Sequence, residues 1–236
     1  MISMLPVAII AGGLGTRMRS VASDVPKALI PVNGEAFMIH QLRLLRAQGI
    51  ERVVLCVGHK GEMIRESIGN GRLFGLQVEY AFDGSTLLGT AGAVRKARPL
   101  LGETFFVLYG DSYLPCDFVR VETEFRRSQK LALMTVFQNE GRWDTSNVEF
   151  VGGKILKYDK THRTPQMRHI DYGLGLFRAC AFDRIPDGQF FDLVDLYQEL
   201  LRDGELAAFE VDQRFYEIGS PQGLREISEY LSQQKA

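Results

Sequence analysis

The 236-residue sequence predicts an α/β fold, a Rossmann-like, mostly parallel central sheet flanked by helices, with a small C-terminal lobe. Two observations carry the prediction. Short apolar, β-branched runs alternate with stretches of helical periodicity through the first half, the pattern of βαβ units in a sheet covered on both faces. The first such run is followed at once by a glycine-rich segment, Ala11–Met18, AGGLGTRM. Open sheets of this kind bind ligands beyond the carboxyl ends of their strands, where this segment falls.

Taken in order, Leu5–Ile10 is an apolar strand. Phe37, Leu42, Leu44 and Leu45 recur at near-helical spacing, and Gly49 stands where a helix ends. Arg52–Val57 is β-branched and reads as a strand, Lys60–Ile68 as a helix and Leu76–Phe82 as a third strand. Ala91–Ala97 reads as a helix stopped by Pro99, and Thr104–Tyr109 as a fourth strand ending at Gly110-Asp111. The second half changes character. Leu131–Gln138 is β-like, and Asn147–Val151 and Lys154–Tyr158 flank Gly152-Gly153, a hairpin signal. Tyr172–Phe177 and Leu206–Val211 read as strands, Phe191–Arg202 as an amphipathic helix, and Pro221–Leu231 as a closing helix with proline at its start. No linker or repeat interrupts the chain. The expectation is one domain over 1–236 in two halves, 1–115 and 116–236, the second completing the sheet.

Composition narrows the function classes. Hydrophobic residues make up 45% and charged residues 24%, ordinary for a globular protein, and the formal net charge is −1. That balance gives no support to a nucleic-acid or anionic-membrane footprint, so basic residues must act within a pocket. The cysteines Cys56, Cys116 and Cys180 are far apart and form no Cys-x-x-Cys, which argues against structural zinc and disulfides and for buried or semi-buried free thiols. MISMLPVAII lacks a basic leader region, and no apolar run has the length of a membrane span. A reducing, cytoplasmic setting is expected. His40, His59, His162 and His169 show no metal-pair spacing, and no Gly-x-Ser-x-Gly elbow anchors a hydrolase triad.

The glycine segment suits an anion. Glycine admits positive φ and close backbone approach, so successive N–H groups can converge on phosphate oxygens. Gly12, Gly13, Gly15 and Thr16 would face the β- and γ-phosphates, with Arg17 and Lys27 adding fixed positive charge. A dinucleotide fingerprint fails, because position 18 is Met and the second strand is followed by Gly58-His59 rather than an acid. A Walker loop fails for lack of Gly-Lys-Ser/Thr. Taken alone, the segment also fits an ordinary β-to-α turn.

AGGLGTR, Pro26-Lys27, LGTAGA at Leu88–Ala93, YGD at Tyr109–Asp111 and FYEIGSP at Phe215–Pro221 occur in that order. With these residues the chain resembles the sugar-1-phosphate nucleotidyltransferases over nearly its whole length. Such enzymes join an NTP to a sugar 1-phosphate and release pyrophosphate. Within them the chain is similar to guanylyltransferases acting on D-glycero-D-manno-heptose 1-phosphate. The resemblance implies catalytic roles for Arg17, Lys27 and Asp111, with Lys27 near the α-phosphate and the incoming phosphate. It implies Mg²⁺ on Asp111 and on Glu217, where many relatives carry Asp. It places nucleotide contacts at Ala11–Gly13 and at Gly89-Thr90, and likens Asp159-Lys160 to an acid–lysine pair for the sugar hydroxyl and phosphate. Asp171, Tyr172 and Gly173 fall where the family lines its sugar pocket, often with Asn-Ala-Gly or Val-Thr-Gly. The absence of a long C-terminal extension implies a minimal, single-activity enzyme.

Where some relatives use a Gln after the third strand, this chain has Asp83. A carboxylate only accepts hydrogen bonds, which favours the donor-bearing edges of guanine or cytosine over uracil or thymine; a plain turn acid is the competing reading. Asp144 and Asn147 fit a hairpin loop better than a hydroxyl contact. Asp171 keeps open a cytidylyltransferase acting on phosphocholine or another phosphorylated small molecule, since an acid would suit an amine. A non-catalytic nucleotide-sugar-binding homologue is the third reading, against which stand Arg17, Lys27 and Asp111. The partners implied are an NTP and a phosphorylated small molecule, without nucleic acid or membrane and with homo-oligomer formation left open.

Overall fold

The computed structural model describes residues 4–13 and 25–234. Its elements, in chain order, begin with β1 (Val7–Ile10), a short 3₁₀ turn at Lys27–Leu29, the two-residue strands β2 (Pro31–Val32) and β3 (Glu35–Ala36), and α1 (Phe37–Ala47). β4 (Arg52–Val57), α2 (Gly61–Ile68), β5 (Gln77–Phe82), α3 (Gly89–Leu101) and β6 (Thr104–Tyr109) follow. Then come β7 (Ser112–Tyr113), α4 (Phe118–Ser128), β8 (Ala132–Gln138), β9 (Val148–Val151), β10 (Lys154–Tyr158) and β11 (His169–Arg178). α5 (Leu193–Arg202), β12 (Leu206–Val211), β13 (Tyr216–Glu217) and α6 (Pro221–Gln233) complete the fold.

The sheet is parallel across β5-β4-β1-β6, with Ile10 opposite both Cys56 and Tyr109. β11 then joins β6 antiparallel, from Leu174 opposite Leu108 to Arg178 opposite Thr104. β8 pairs with the other edge of β11, and β12 runs parallel beside β8. The β9–β10 hairpin turns at Gly152-Gly153, both at positive φ, as the glycine pair suggests. One sheet therefore spans both halves of the chain.

The strands alternate faces, and each face buries its own core. Val7, Ile9, Leu55, Phe106 and Leu108 pack with residues of α1, α2 and α4. Ala8, Val54, Cys56, Phe105 and Val107 pack with α3 and α5. Fully burying each such side chain stabilises the fold by roughly 1.5–3 kcal/mol. A third cluster under α6 ties Ile227 and Leu231 to Val32, Phe37, Tyr113 and Ile218. No helix among the described residues is long and apolar enough to cross a membrane.

Three differences from the sequence expectations have physical causes. α3 runs through Pro99 to Leu101. A proline this close to the C-terminus removes one internal hydrogen bond of the last turn, and Gly102 at φ +82° then closes the helix. α4 was not expected, although Asp117 caps it by accepting from the Arg120 N–H at 3.1 Å. Cys56 and Cys116 are buried, with thiols pushed up to about 12 by burial, but Cys180 is exposed.

Candidate active site

The chain leaves β1 toward β4 on one side, while β6 lies on the other, so a crevice opens beyond the carboxyl ends of β1 and β6. Gly110 sets its floor. Its N–H donates to the Ile10 carbonyl at 2.9 Å, and a β-carbon there would lie 2.9 Å from that oxygen and 3.0 Å from the Ala11 β-carbon. Only glycine lets the turn after β6 touch the segment after β1. The next residue is Asp111. Lys27, delivered by the rigid approach of Pro26 and the 3₁₀ turn, places Nζ 2.6 Å from Asp111 Oδ2. Residues 84 positions apart thus form one half-buried ion pair. Gln41 of α1 fixes this turn from behind, because its Nε2 donates to the carbonyls of Tyr109 at 2.9 Å and Ser112 at 2.6 Å. Sequence reasoning missed Gln41; its only signal was a polar residue on the buried face of α1.

On the nucleotide side, the ends of β1, β4 and β5 meet through glycine. A β-carbon at Gly12 would lie 3.1 Å from the Gly58 nitrogen and 3.4 Å from Asp83 Oδ2, and one at Gly58 would lie 2.9 Å from the Gly12 oxygen. Gly13 faces open space. Asp83 is buried against this backbone, its pKa raised by burial and partly restored by the Leu88 N–H and Lys96. Lys96 Nζ donates to the Asp83 carbonyl at 2.9 Å. Gly15, Thr16 and Arg17 lie outside the described residues.

At Gly89-Thr90 the polar groups of Thr90 are already engaged. The Thr90 N–H and hydroxyl both donate to Asp192 Oδ1 at 3.1 Å, and the Thr90 hydroxyl accepts from the Leu193 N–H at 2.6 Å. The Ala91 and Gly92 N–H groups go to the Phe191 carbonyl. The start of α3 is therefore committed to the start of α5, a reciprocal cap rather than an open anion site. Gly89 is glycine for the same packing, since a β-carbon would meet the Phe191 carbonyl at 2.6 Å.

On the opposite side, Lys160 places Nζ 3.5 Å from Asp171 Oδ2, above the rings of Tyr109 and Tyr158 at 5.5 and 5.9 Å. Burial would lower the Lys160 pKa, but the carboxylates of Asp171 and Asp111 hold it above the ordinary lysine range. Tyr109, at the end of β6, joins the two sides. Burial and the carboxylates of Asp171, Asp111 and Asp192 push its phenol up to about 12 against the pull of Lys160, so it remains a neutral donor.

Two sequence expectations change here. Beside them, Asp159 Oδ1 accepts from the Thr161 and His162 N–H groups at 2.8 Å and from the Thr161 hydroxyl at 2.9 Å, which holds its own turn and keeps its pKa below the usual carboxylate range. Asp171 is no free carboxylate for an amine, being buried and already shared by Lys160, Tyr158 and the Gly173 N–H. The Tyr172 side chain points into the core beside Cys116, with Phe215 edge-on at 6.1 Å, because alternate residues of a strand face opposite sides. Gly173, at φ +96°, comes within 3.6 Å of Tyr109 at the position a β-carbon would take. Asn147 accepts the Asp171 N–H on Oδ1 at 2.9 Å, and the Asp144 carbonyl serves its hairpin loop.

β13 brings the second acid to the crevice. Glu217 stands opposite Ser112 in the β7–β13 pair, and the Ile218 N–H donates to the Asp111 carbonyl at 3.0 Å. No group of three or more potential metal ligands forms among the described residues. A hard cation that keeps its waters and shares substrate phosphates needs only one or two carboxylates, so Asp111 and Glu217 fit Mg²⁺ by donor chemistry. That Asp111 already attracts an ammonium shows the negative potential there.

Residues 7–145 match the model of the nucleotidyl transferase family. The UTP–glucose-1-phosphate uridylyltransferase of Synechocystis sp. is 30% identical over 229 residues, covering 89% of this chain and 59% of the relative, so the chain spans under two thirds of that protein's length. The D-glycero-α-D-manno-heptose 1-phosphate guanylyltransferase of Campylobacter jejuni is 27% identical over 215 residues, covering 91% of this chain and 94% of the relative. Among solved structures, HddC from Yersinia pseudotuberculosis superposes with a TM-score of 0.81 at 22% identity, over 97% of this chain and all of that one, and shares the fold. A family match across more than half of the chain makes this protein a member of the nucleotidyl transferase family.

Proposed function

We propose that the protein is a sugar-1-phosphate nucleotidyltransferase, converting an NTP and a sugar 1-phosphate to an NDP-sugar and pyrophosphate. GTP and a D-glycero-D-manno-heptose 1-phosphate are the substrates the reading favours. The observation that carries it is the Lys27–Asp111 pair at 2.6 Å, set at the switch point between the glycine segment and Lys160. The reaction brings together two anions, so the protein must supply positive charge and alignment rather than a nucleophile. No general base is required, because the attacking phosphate oxygen is ionised at neutral pH. Arg17 would hold the departing pyrophosphate, Lys27 the α-phosphate, and Lys160 the acceptor. Asp111 and Glu217 would hold Mg²⁺, which neutralises phosphate charge.

The preference for guanine rests on Asp83, buried beside Gly12 and Gly58 where a base edge with N–H donors would find an acceptor. The similarity in length and sequence to the Campylobacter guanylyltransferase supports it. The phosphocholine alternative loses its support with the commitment of Asp171 to Lys160 and Tyr158. Pyrophosphate release measured across all NTPs with a panel of sugar 1-phosphates and phosphocholine is the test. Release is expected with GTP and a heptose 1-phosphate. Release with no pair would leave a nucleotide-sugar-binding protein, and release only with CTP and phosphocholine would reverse the assignment.

A further inference from the structure

We propose that Asp171 is a positioning residue for Lys160: its immobilised carboxylate holds the ammonium over the Tyr109 ring, presented to the phosphate-bearing acceptor. The proposal rests on the reading of Lys160 as an acceptor-binding group, and it assigns a job to the residue that departs from the family's Asn-Ala-Gly and Val-Thr-Gly patterns.

Asp171 is fixed from every side. Its N–H donates to Asn147 Oδ1 at 2.9 Å. Its Oδ1 accepts from the Gly173 N–H at 3.1 Å, and its Oδ2 accepts from the Tyr158 hydroxyl at 2.9 Å. The strand is irregular here, with the β8–β11 register shifting between Asp171 and Gly175 and Gly173 at φ +96°. Bulges re-aim side chains, and this one lies beside the crevice. The carboxylate is 3% exposed, and a buried charge in that state is costly without an ionic partner. Lys160, with 41% of its side chain exposed, is that partner. A lysine stem has many rotamers, so an unheld Lys160 would sample the crevice rather than occupy one place in it. An ammonium has three donors. One directed at Asp171 leaves the others for an incoming phosphate, with Tyr109 and Tyr158 as flanking rings.

The experiment uses the full-length protein with Asp171→Asn, which keeps volume and removes charge. Loss of a charge-assisted contact predicts an acceptor KM raised about tenfold or more, with NTP KM and kcat unchanged. In a Lys160→Met background the same substitution should add nothing. A second readout needs no turnover. In ¹⁵N-lysine-labelled protein, the slowly exchanging ammonium signal identified by its loss in Lys160→Arg should be present in the wild type and broaden away in Asp171→Asn. An unchanged Lys160 signal in Asp171→Asn, or an equal loss of acceptor affinity with and without Lys160, would overturn the proposal. Wild-type protein that turns over no substrate pair would instead defeat the functional reading, and the ammonium signal would still decide whether Asp171 holds Lys160.

Discussion

The two sides of the crevice are built from different materials. The side that the proposed function gives to the nucleotide is mostly backbone: Gly12, Gly13 and Gly58 gather at the ends of parallel strands, with the buried Asp83 beside them among the described residues. The acceptor side is mostly side chain: Lys160, Asp171, Tyr158 and Tyr109 form one connected group on a bulged antiparallel strand and its neighbours. Backbone contacts recognise what every NTP shares, and mutation alters them only by disturbing the fold. A side-chain network can be rewritten one residue at a time. The difference teaches that acceptor choice is the more readily changed property of this architecture, and base choice hangs on few positions.

Substitution at the seam should have the largest effect. Lys27→Ala and Asp111→Ala each remove a half-buried charge that, on the proposed function, would face both substrates. Each is expected to cost on the order of 10²–10³-fold in turnover, by analogy with removal of one electrostatic stabiliser from an active site. Thermal unfolding should stay close to wild type, and near-normal turnover in either variant would remove that residue from the mechanism. Next in size, Gly110→Ala tests whether the nucleotide side is truly a backbone construction. Crowding of the Ile10 carbonyl should destabilise the fold by about 1–3 kcal/mol in urea titration and weaken both substrates together. A variant of full stability would show that the turn has slack.

The smallest effect belongs to Asp83→Asn. The raised pKa of Asp83 means that its ionised form is disfavoured in the folded state. Its contribution to stability is therefore greatest at acidic pH, below its unfolded pKa, and declines as pH rises through the folded value. Asp83→Asn should be relatively more stable at neutral pH than wild type, with the advantage shrinking in acid. The same variant should lose discrimination for guanine over uracil. An unchanged base preference would reduce Asp83 to a turn residue and leave the nucleotide side entirely to backbone.

Much of the architecture was legible because it rests on local pattern. Arg52–Val57, Thr104–Tyr109 and Leu206–Val211 have the bounds their apolar runs suggest. The placing of the glycine segment and Asp111 at neighbouring strand ends followed from the rule that ligands gather there; the pairing of Asp111 with Lys27, 84 positions away and at no strand end, did not. α4 was legible in principle, since Phe118, Val121 and Phe125 recur on one face after the Asp117 cap. What could not be read were the partners of polar side chains. Lys160 stands next to Asp159 in sequence, yet strand geometry hands it to Asp171, while Asp159 turns to its own loop. Likewise Thr90 sits in a motif suited to a ligand, but its hydroxyl is claimed by Asp192 and Leu193, about a hundred positions away.

The ladder between β6 and β11 also bears on how the chain is made. β6 is interior only because β11 covers its far edge, and β11 ends at Arg178. In a nascent chain that has emerged only as far as α4, the β6 flank would stand open as that of β5 does, a second template for unwanted pairing. Translation speed over the stretch between α4 and β11, and the chaperones that meet it, would thus govern how many molecules reach a state able to bind anything at all.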